Sequence, residues 1–229
     1  MTNKKKAIVL SSGGLDSTTC LTMAIDQGYD VYPLTFKYGQ RHSIEIEKSK
    51  LIRDELGIPE KNHILVNIDN IGGSALTKEE IEITDKETEG IPTTYVPARN
   101  ILFLSYAVSI GEELGVDAIF IGVSSIDYSG YPDCRPEFIK AFQDLITVGT
   151  KAGVEGKAIK IEAPLVNLSK AETIELGLKL NTPYHLTTTC YRGGEKACGT
   201  CPSCRLRLKA FEELGIEDPI RYEKTKLAD

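Results

Sequence analysis

The stretch S-G-G-L-D-S, Ser12 to Ser17, decides the fold of this 229-residue chain. It follows an apolar run, Ala7 to Leu10, and precedes a helix-like run, Thr18 to Gln27. Two adjacent glycines let the backbone turn its N–H groups toward an anion, and the helix behind adds unpaired N–H groups and the positive end of its dipole. Strand, glycine turn and helix in this order predict a phosphate-binding loop, with hydroxyl donors from Ser11 and from both serines of the stretch.

Two common nucleotide loops do not fit this stretch. The G-x-x-x-x-G-K-[ST] loop carries a lysine, whereas no lysine lies between Lys6 and Lys37. The G-x-G-x-x-G fingerprint of dinucleotide sites does not occur either. The remaining alternative is an ordinary glycine turn in which Asp16 or Ser17 caps the helix. The surrounding hydroxyls and the carboxylate favour an ATP site over that alternative.

S-G-G-x-D-S after a first strand resembles the pyrophosphate loop of the ATP-pyrophosphatase superfamily. Members of that superfamily split ATP between the α and β phosphates and transfer AMP to a substrate oxygen. The resemblance implies that Mg²⁺ accompanies ATP and that Asp16 either helps to hold it or only caps the helix. It also implies an ATP site formed by eleven consecutive residues: Leu10, Ser11, Ser12, Gly13, Gly14, Leu15, Asp16, Ser17, Thr18, Thr19 and Cys20.

Short apolar runs alternate with helix-like segments along the chain. The predicted strands are Lys6 to Leu10, Val31 to Phe36, Ile64 to Ile68, Ala118 to Gly122 and Ile159 to Ala163. The predicted helices are Ser17 to Gln27, Ser43 to Leu56, Asn100 to Leu114, Pro136 to Thr147, Ser169 to Leu180 and Pro202 to Leu214. This order predicts an α/β fold: one Rossmann-like domain over residues 1–229, with a parallel sheet and helices on both faces.

The carboxyl ends of parallel strands form the ligand-binding edge of such a sheet. The phosphate loop, Lys37 to His42 and Ser124 to Arg135 all follow strands, so we expect them on one rim. Residues 69–94 are polar and lack a clear period, and we interpret them as an insertion that covers the site when substrate binds.

Composition narrows the class of protein. A net charge of −6 argues against a nucleic-acid surface and favours small-molecule substrates. No apolar window reaches the length of a membrane span, and the short basic start is followed by too short an apolar run for a signal peptide. We therefore expect a cytoplasmic protein with no membrane association and no stable nucleic-acid partner.

Four of the six cysteines are closely spaced in the pattern C-x7-C-x2-C-x2-C. Two-residue gaps let a chain wrap a tetrahedral ion, and four thiolates leave no position for water. The pattern predicts one structural Zn²⁺ per subunit within a zinc-binding segment, residues 187–205, over a redox pair, loose thiols or an iron–sulfur cluster. The predicted ligands are Cys190, Cys198, Cys201 and Cys204.

Six motifs in order resemble the 7-cyano-7-deazaguanine synthase family. They are S-G-G-L-D-S, Y-G-Q-R-H (Tyr38 to His42), V-P-A-R-N (Val96 to Asn100), D-Y-S-G-Y-P-D-C-R (Asp127 to Arg135), L-S-K-A-E-T (Leu168 to Thr173) and the cysteine quartet. The chain departs from the family at Ala98, where glycine is usual, and at residues 124–126. The resemblance implies a queuosine-pathway ligase that uses ATP, 7-carboxy-7-deazaguanine and ammonia, and acts as a homodimer.

Catalytic and substrate-binding candidates come from these motifs. Ser169 and Glu172 form a capping box that places Lys170 in a first helical turn, and the superfamily has a pyrophosphate lysine in this region. Its alternative is a solvated surface lysine. Arg99 is expected to bind a carboxylate or phosphate, or else to form a surface salt bridge. The substrate contacts are expected among Tyr38, Arg41, His42, Asp127, Tyr131 and Asp133.

Several roles stay open from sequence alone. Asp127 or Asp133 would accept the N1–H and amine of a guanine-like base, although turn formation explains an aspartate at either place. His42 either orients substrate or packs structurally, whereas His63 and His185 are interpreted as structural. Cys20 is expected in the core, and Cys134 near substrate or, less simply, as a nucleophile.

Three other functions were weighed against this one. A tRNA-thiolating enzyme of the same superfamily would need a basic face or an RNA-binding domain. An enzyme that uses glutamine-derived ammonia would need a glutaminase domain, for which 229 residues leave no room. A zinc adaptor would not need the phosphate loop.

Overall fold

The computed structural model describes residues 4–40, 44–68, 71–78, 80–83, 90–124 and 130–223. Five strands form one parallel sheet: β1 (Lys6–Leu10), β2 (Asp30–Lys37), β3 (Ile64–Asn67), β4 (Ala118–Phe120) and β5 (Lys160–Glu162). Their order across the sheet is β3-β2-β1-β4-β5. All five predicted strands are thus confirmed, with ends that differ by at most two residues.

The described helices are α1 (Leu15–Asp26), α2 (Ile44–Glu55), α3 (Arg99–Leu114), α4 (Pro136–Gly149), α5 (Lys151–Val154), α6 (Lys170–Lys179) and α7 (Pro202–Glu213). Single 3-10 turns lie at Glu60–Asn62, Pro132–Cys134 and Tyr184–Leu186. The six predicted helices are confirmed, and the four-residue α5 was not predicted. Among the described residues, no helix combines the length and apolarity that crossing a bilayer requires.

Helices cover both faces of the sheet, as predicted. Side chains of β1 alternate between two cores: Ile8 and Leu10 face one, and Ala7 and Val9 face the other. Packing of α3 and α4 closes the first core, whereas α1 and α2 close the second. Strand β1 is therefore central and buried on both faces, which explains its unbroken apolar sequence.

The C-terminal part joins this body through a third core. Leu15 of α1 packs with Ile174 of α6, Tyr184 and Phe211 of α7. The four cysteines and their neighbours form a small separate cluster around the first turn of α7. This arrangement brings the cysteine segment next to the phosphate loop.

Candidate active site

A cavity of about 260 Å³ opens at the carboxyl ends of β1, β2 and β4. This is the edge where the order of strands reverses, since β1 pairs with β2 on one side and β4 on the other. Its lining includes residues from all three predicted rim segments, together with α3, α6 and the cysteine segment: Ser12, Asp16, Tyr38, Arg99, Ser124, Lys170 and Thr188. The prediction of a shared rim is confirmed for the described residues.

The phosphate loop passes from β1 directly into α1. Helix α1 begins at Leu15 with Gly14 as its N-cap, so neither Asp16 nor Ser17 caps it. The Ser17 hydroxyl instead accepts from the Ser12 N–H at 3.2 Å, while the Ser12 hydroxyl accepts from the Gly14 N–H at 3.3 Å. These contacts curl the loop around the cavity end of the helix.

The two loop glycines have different reasons to be glycine. Gly13 has φ +74°, and a Cβ there would lie 2.6 Å from the Glu45 carbonyl oxygen. Gly14 has φ −83°, an ordinary value, and its nearest neighbour would be the Ser12 hydroxyl at 3.1 Å. Only Gly13 therefore needs a backbone that a side chain would forbid, which corrects the expectation for Gly14.

Part of the predicted ATP-binding range faces away from the cavity. Leu10, Ser11, Ser12, Gly14, Leu15, Asp16 and Ser17 line it, whereas Gly13, Thr18, Thr19 and Cys20 do not. The Thr18 hydroxyl donates to the Gly14 carbonyl at 2.7 Å, and the Thr19 hydroxyl bonds that of Tyr184 at 2.8 Å. Cys20 is fully buried in the sheet core, which confirms the expectation that it is a core residue. One helical turn after the loop, side chains already point into protein.

Lys170 and Asp16 form an ion pair on the cavity wall. The lysine Nζ lies 2.7 Å from both carboxylate oxygens, and its side chain is only 7% exposed. The predicted capping box between Ser169 and Glu172 is present and places Lys170 at the first residue of α6. The alternative of a solvated surface lysine is therefore wrong.

Arg99 stands at the start of α3 and faces Tyr38 across the cavity. Its Nη1 donates to the Tyr38 hydroxyl at 3.4 Å, a long hydrogen bond. Burial works to lower the pKa of Arg99, but Tyr38, Cys134 and Glu45 outweigh it and keep the guanidinium charged. Arg99 thus lines the cavity, and it forms no surface salt bridge with the residues that the structure describes.

Glu45, in the first turn of α2, is a cavity residue that the sequence analysis missed. Burial raises the pKa of its carboxyl, although the charge of Arg99 and a hydrogen bond with Gln40 oppose the rise. Gln40 itself holds the turn after β2, because its amide accepts from the Tyr38 N–H at 2.7 Å. Glu45 lies in a largely polar helix sequence, which does not predict that its side chain faces a cavity. Only the neighbouring Y-G-Q-R-H segment indicated that this part of the chain lies near the site.

Asp133 has a structural contact. It is buried, and its carboxylate accepts from the Asn100 backbone N–H at 3.1 Å, which satisfies a donor at the start of α3. It does not line the cavity, whereas its neighbours Tyr131 and Cys134 do. Burial, followed by the charge of Asp133, raises the pKa of the Cys134 thiol to about 12, which disfavours a thiolate nucleophile.

Other predicted residues divide between the described and undescribed parts. Tyr131 bonds the Thr94 hydroxyl at 2.7 Å and lines the cavity. Arg41, His42 and Asp127 lie outside the described residues. Of the predicted insertion, residues 71–78, 80–83 and 90–94 are described; Ala75 is buried there, and Leu76 lines the cavity.

His63 has a hydrogen-bond partner inside the protein. The His63 Nε2 bonds the Thr35 hydroxyl at 2.9 Å, and burial lowers its pKa. Thr35 in turn bonds Ser49, which bonds Ser11 of the loop at 2.9 Å. His63 therefore ends a buried chain of hydroxyls that supports the phosphate loop, which agrees with a structural role.

The four predicted zinc ligands come together. The Sγ atoms of Cys190, Cys198, Cys201 and Cys204 all lie within 4.8 Å of one another. A tetrahedron with metal–sulfur bonds of about 2.3 Å has edges of about 3.8 Å, so the group fits a zinc ion.

Hydrogen-bond donors around the sulfurs support the same conclusion. The N–H groups of Thr200 and Cys201 donate to the Cys198 sulfur at 3.4 and 3.3 Å. Burial alone would raise the pKa of Cys198, but these donors outweigh it and lower the pKa, which favours the thiolate that a metal needs. Cys201 is the N-cap of α7, so the positive end of the helix also faces the cluster.

Comparisons with known proteins agree with this geometry. The model of the family described as "Queuosine biosynthesis protein QueC" matches residues 6–215. The 7-cyano-7-deazaguanine synthase 2 of Desulfitobacterium hafniense strain Y51 is 61% identical over 219 residues, covering 95% of this chain and 93% of that protein. The 7-cyano-7-deazaguanine synthase of Acetivibrio thermocellus is 60% identical, covering 95% of this chain and 98% of that protein.

A solved structure supports the fold alone. NMN synthetase from Francisella tularensis aligns with a TM-score of 0.50 at 14% identity, covering 93% of this chain and 79% of that chain. Such low identity carries no information on substrate. The match to the family model over nearly the whole chain and the identity to its named relatives show that the chain belongs to the QueC family of queuosine biosynthesis proteins.

Proposed function

We propose that this chain is an ATP-dependent carbon–nitrogen ligase that converts 7-carboxy-7-deazaguanine and ammonia to 7-cyano-7-deazaguanine. AMP and pyrophosphate are the other products. Family membership and the names of relatives at 50 to 61% identity support the reaction. The observation that carries the proposal is the shared cavity of the phosphate loop, Lys170 and Arg99.

The chemistry requires two activations at one site. A carboxylate oxygen attacks the α-phosphorus of ATP, pyrophosphate leaves, and ammonia then displaces AMP from the acyl carbon with loss of a proton. The amide oxygen then attacks the α-phosphorus of a second ATP and pyrophosphate leaves, after which loss of AMP and of both protons from the nitrogen forms the nitrile. Because AMP is the leaving group both times, the protein mainly positions reactants and neutralises charge.

The phosphate side of the cavity supplies the positive charge. In the proposed complex the N-terminus of α1 and the Lys170 ammonium face the leaving pyrophosphate. The Asp16 carboxylate keeps Lys170 aimed at the loop in the free protein, as their 2.7 Å contacts indicate. We also propose that the Asp16 carboxylate binds the Mg²⁺ that accompanies ATP.

The opposite wall is proposed to hold the deazaguanine. Arg99 pairs with its 7-carboxylate, with Tyr38 beside it, and the ring of Tyr131 stacks on the base. Since Asp133 is occupied at the start of α3, we favour Asp127 for the base edge. Arg41 and His42 complete the proposed substrate contacts.

Zinc has a structural role in this proposal. Cys190, Cys198, Cys201 and Cys204 would hold it, and it would crosslink the segment between the phosphate loop and α7. We further propose that the chain works in the cytoplasm as a homodimer, which light scattering of the purified protein would test.

The direct test incubates purified protein with ATP, Mg²⁺, ammonium and 7-carboxy-7-deazaguanine, with products followed by mass spectrometry. We expect the nitrile with two AMP and two pyrophosphate per turnover. Amide as the only product would refute the second activation. Absence of AMP with this substrate would refute the proposal and direct attention to tRNA thiolation.

A further inference from the structure

We propose that Arg207 is a positioning residue that couples the cysteine cluster to the phosphate loop, so that metal binding and ATP binding strengthen each other. The inference rests on the proposed ATP site and zinc site, and adds an energetic link between them. Its evidence is a continuous series of contacts through the segment 187–190, which we call the bridging segment.

The bridging segment touches both sites. At one end the Thr188 N–H donates to the Gly13 carbonyl at 2.9 Å, and Thr188 forms an isolated parallel bridge with Gly14. At the other end the segment finishes at Cys190, whose sulfur accepts from the Cys198 N–H at 3.4 Å. A single residue, Thr189, therefore separates a backbone contact with the phosphate loop from a predicted metal ligand.

Arg207 fixes this segment from the side of α7. Its side chain is 1% exposed, and its Nη1 donates to the Thr187 hydroxyl at 2.7 Å. Its Nη2 donates to the carbonyl oxygen of Tyr184 at 3.2 Å. Cys201, Cys204 and Arg207 follow one another at three-residue intervals, so a shift of the ligands on α7 also shifts the guanidinium.

A buried carboxylate sets the orientation of the guanidinium. Asp218 accepts from Nε at 2.7 Å and from Nη2 at 2.9 Å, and the Tyr222 hydroxyl donates to Asp218 at 2.6 Å. The backbone around Tyr222 pairs with Ala197 inside the cysteine segment. Segments on both sides of the cysteine cluster thus contact the Arg207 guanidinium. A lysine at this position would supply the same charge but not the planar set of hydrogen-bond donors.

The test measures linkage and needs no deazaguanine. Isothermal titration gives the affinity for a non-hydrolysable ATP analogue with and without zinc, and a chromophoric chelator gives zinc affinity with and without the analogue. Because coupling is reciprocal, the two factors must be equal, and we expect about tenfold in the wild type. Factors of one in the wild type would overturn the proposal.

Variants separate positioning from general stability. In Arg207→Lys we expect the affinity for the analogue to fall about tenfold and both linkage factors to approach one. The control is Lys209→Gln, at an exposed position of the same helix, which we expect to keep the wild-type affinity and linkage factors. A merely structural role would lower the melting temperature but preserve the linkage factor, which would also overturn the proposal. Asp218→Asn provides a second variant. If neither variant folds, the linkage factor of the wild type alone tests the proposal.

Failure here is distinguishable from failure of the proposed function. If the protein binds the analogue with zinc linkage but makes no nitrile, the coupling is supported and only the assigned substrate is wrong. A chain that makes nitrile without linkage would lose only the coupling.

Discussion

Lys170 and Asp16 are the charged side chains that lie directly against the phosphate loop, and their burial determines what a substitution does there. A buried lysine needs its partner, because leaving either charge alone costs more than an exposed pair contributes. The same burial gives Lys170 its strength toward phosphate, since charge interactions grow in a water-poor cavity.

Replacing Lys170 by glutamine should therefore remove most activity while the protein still folds. We expect kcat/KM to fall about 100-fold or more, the usual effect of deleting a group that stabilises transition-state charge. Steady-state pyrophosphate release measures it. Lys179→Gln is the matched control, because Lys179 pairs with Glu175 on the exposed side of the same helix. Equal activities in the two variants would contradict the assignment.

Glu45 should make stability depend on pH in a defined direction. Its raised pKa means that the native state holds the proton more tightly than the unfolded chain, whose value is about 4.3. Wild type therefore loses stability as pH rises from the unfolded value to the folded one, by about 1.4 kcal/mol per unit of separation.

The substitution Glu45→Gln should remove this loss of stability at higher pH. Urea unfolding at about pH 4.5 and about pH 8 should show the variant gaining stability relative to wild type as pH rises. A relative gain on acidification would show that the carboxylate is favoured by folding, contrary to its surroundings here. Glu47→Gln, on the same first turn of α2, controls for removing a negative charge from the helix start.

Residue types alone could identify the loop, Lys170, Arg99 and the cysteines, because each carries a short-range pattern. They could not identify Glu45 or Thr188, whose positions depend on contacts between distant segments. Asp133 illustrates the converse: its loop follows a strand as ligand loops do, yet the carboxylate serves the Asn100 N–H.

At the scale of elements, the turn between β1 and α1 shows which glycine the fold requires. Gly13→Ala forces a side chain onto a left-handed backbone and against a carbonyl oxygen. We expect a loss of roughly 1–3 kcal/mol of unfolding free energy. Gly14→Ala should cost less than about 1 kcal/mol, since its φ is ordinary and its one near neighbour is a rotatable hydroxyl. Urea unfolding compares the two, and an equal loss would refute the distinction.

Ala98 gives the opposite case at the start of α3. It is the N-cap of that helix with φ +56°, a left-handed conformation in a residue that has a Cβ. A glycine would adopt this conformation without the steric cost that a Cβ brings. Ala98→Gly should raise the free energy of unfolding by about 0.5–1 kcal/mol, the left-handed cost less the added flexibility of the unfolded chain. A loss of stability measured by urea unfolding would contradict this.

Element existence followed from the sequence because apolar runs and caps are local signals. The start of α1 was predicted two residues late, since Gly14 supplies the cap through its backbone and the serines are used elsewhere. Helix α5 has only four residues, which are too few to show the helical repeat of apolar positions.

At the scale of the whole molecule, a metal in the cysteine cluster should add stability to the C-terminal part, which also packs on α1 through Leu15. We expect one zinc per chain by elemental analysis of the purified protein. Cys201→Ser should lose the metal and melt at a lower temperature, because binding energy of a structural zinc is folding energy. Cys134→Ser, which lies outside the cluster, should keep the full zinc content. Equal zinc content in both variants would refute the ligand set.

The contact between Thr188 and Gly13 also constrains how the protein is made. Gly13 is synthesised before Thr188, and 174 residues lie between them. Strand β1 likewise waits for β4, since the Lys6 N–H bonds the Asp117 carboxylate 111 residues later. A chain that stops before β4 therefore leaves one edge of the apolar β1 unpaired, a form that proteases and chaperones recognise. The complete phosphate loop therefore forms only after synthesis has passed Thr188.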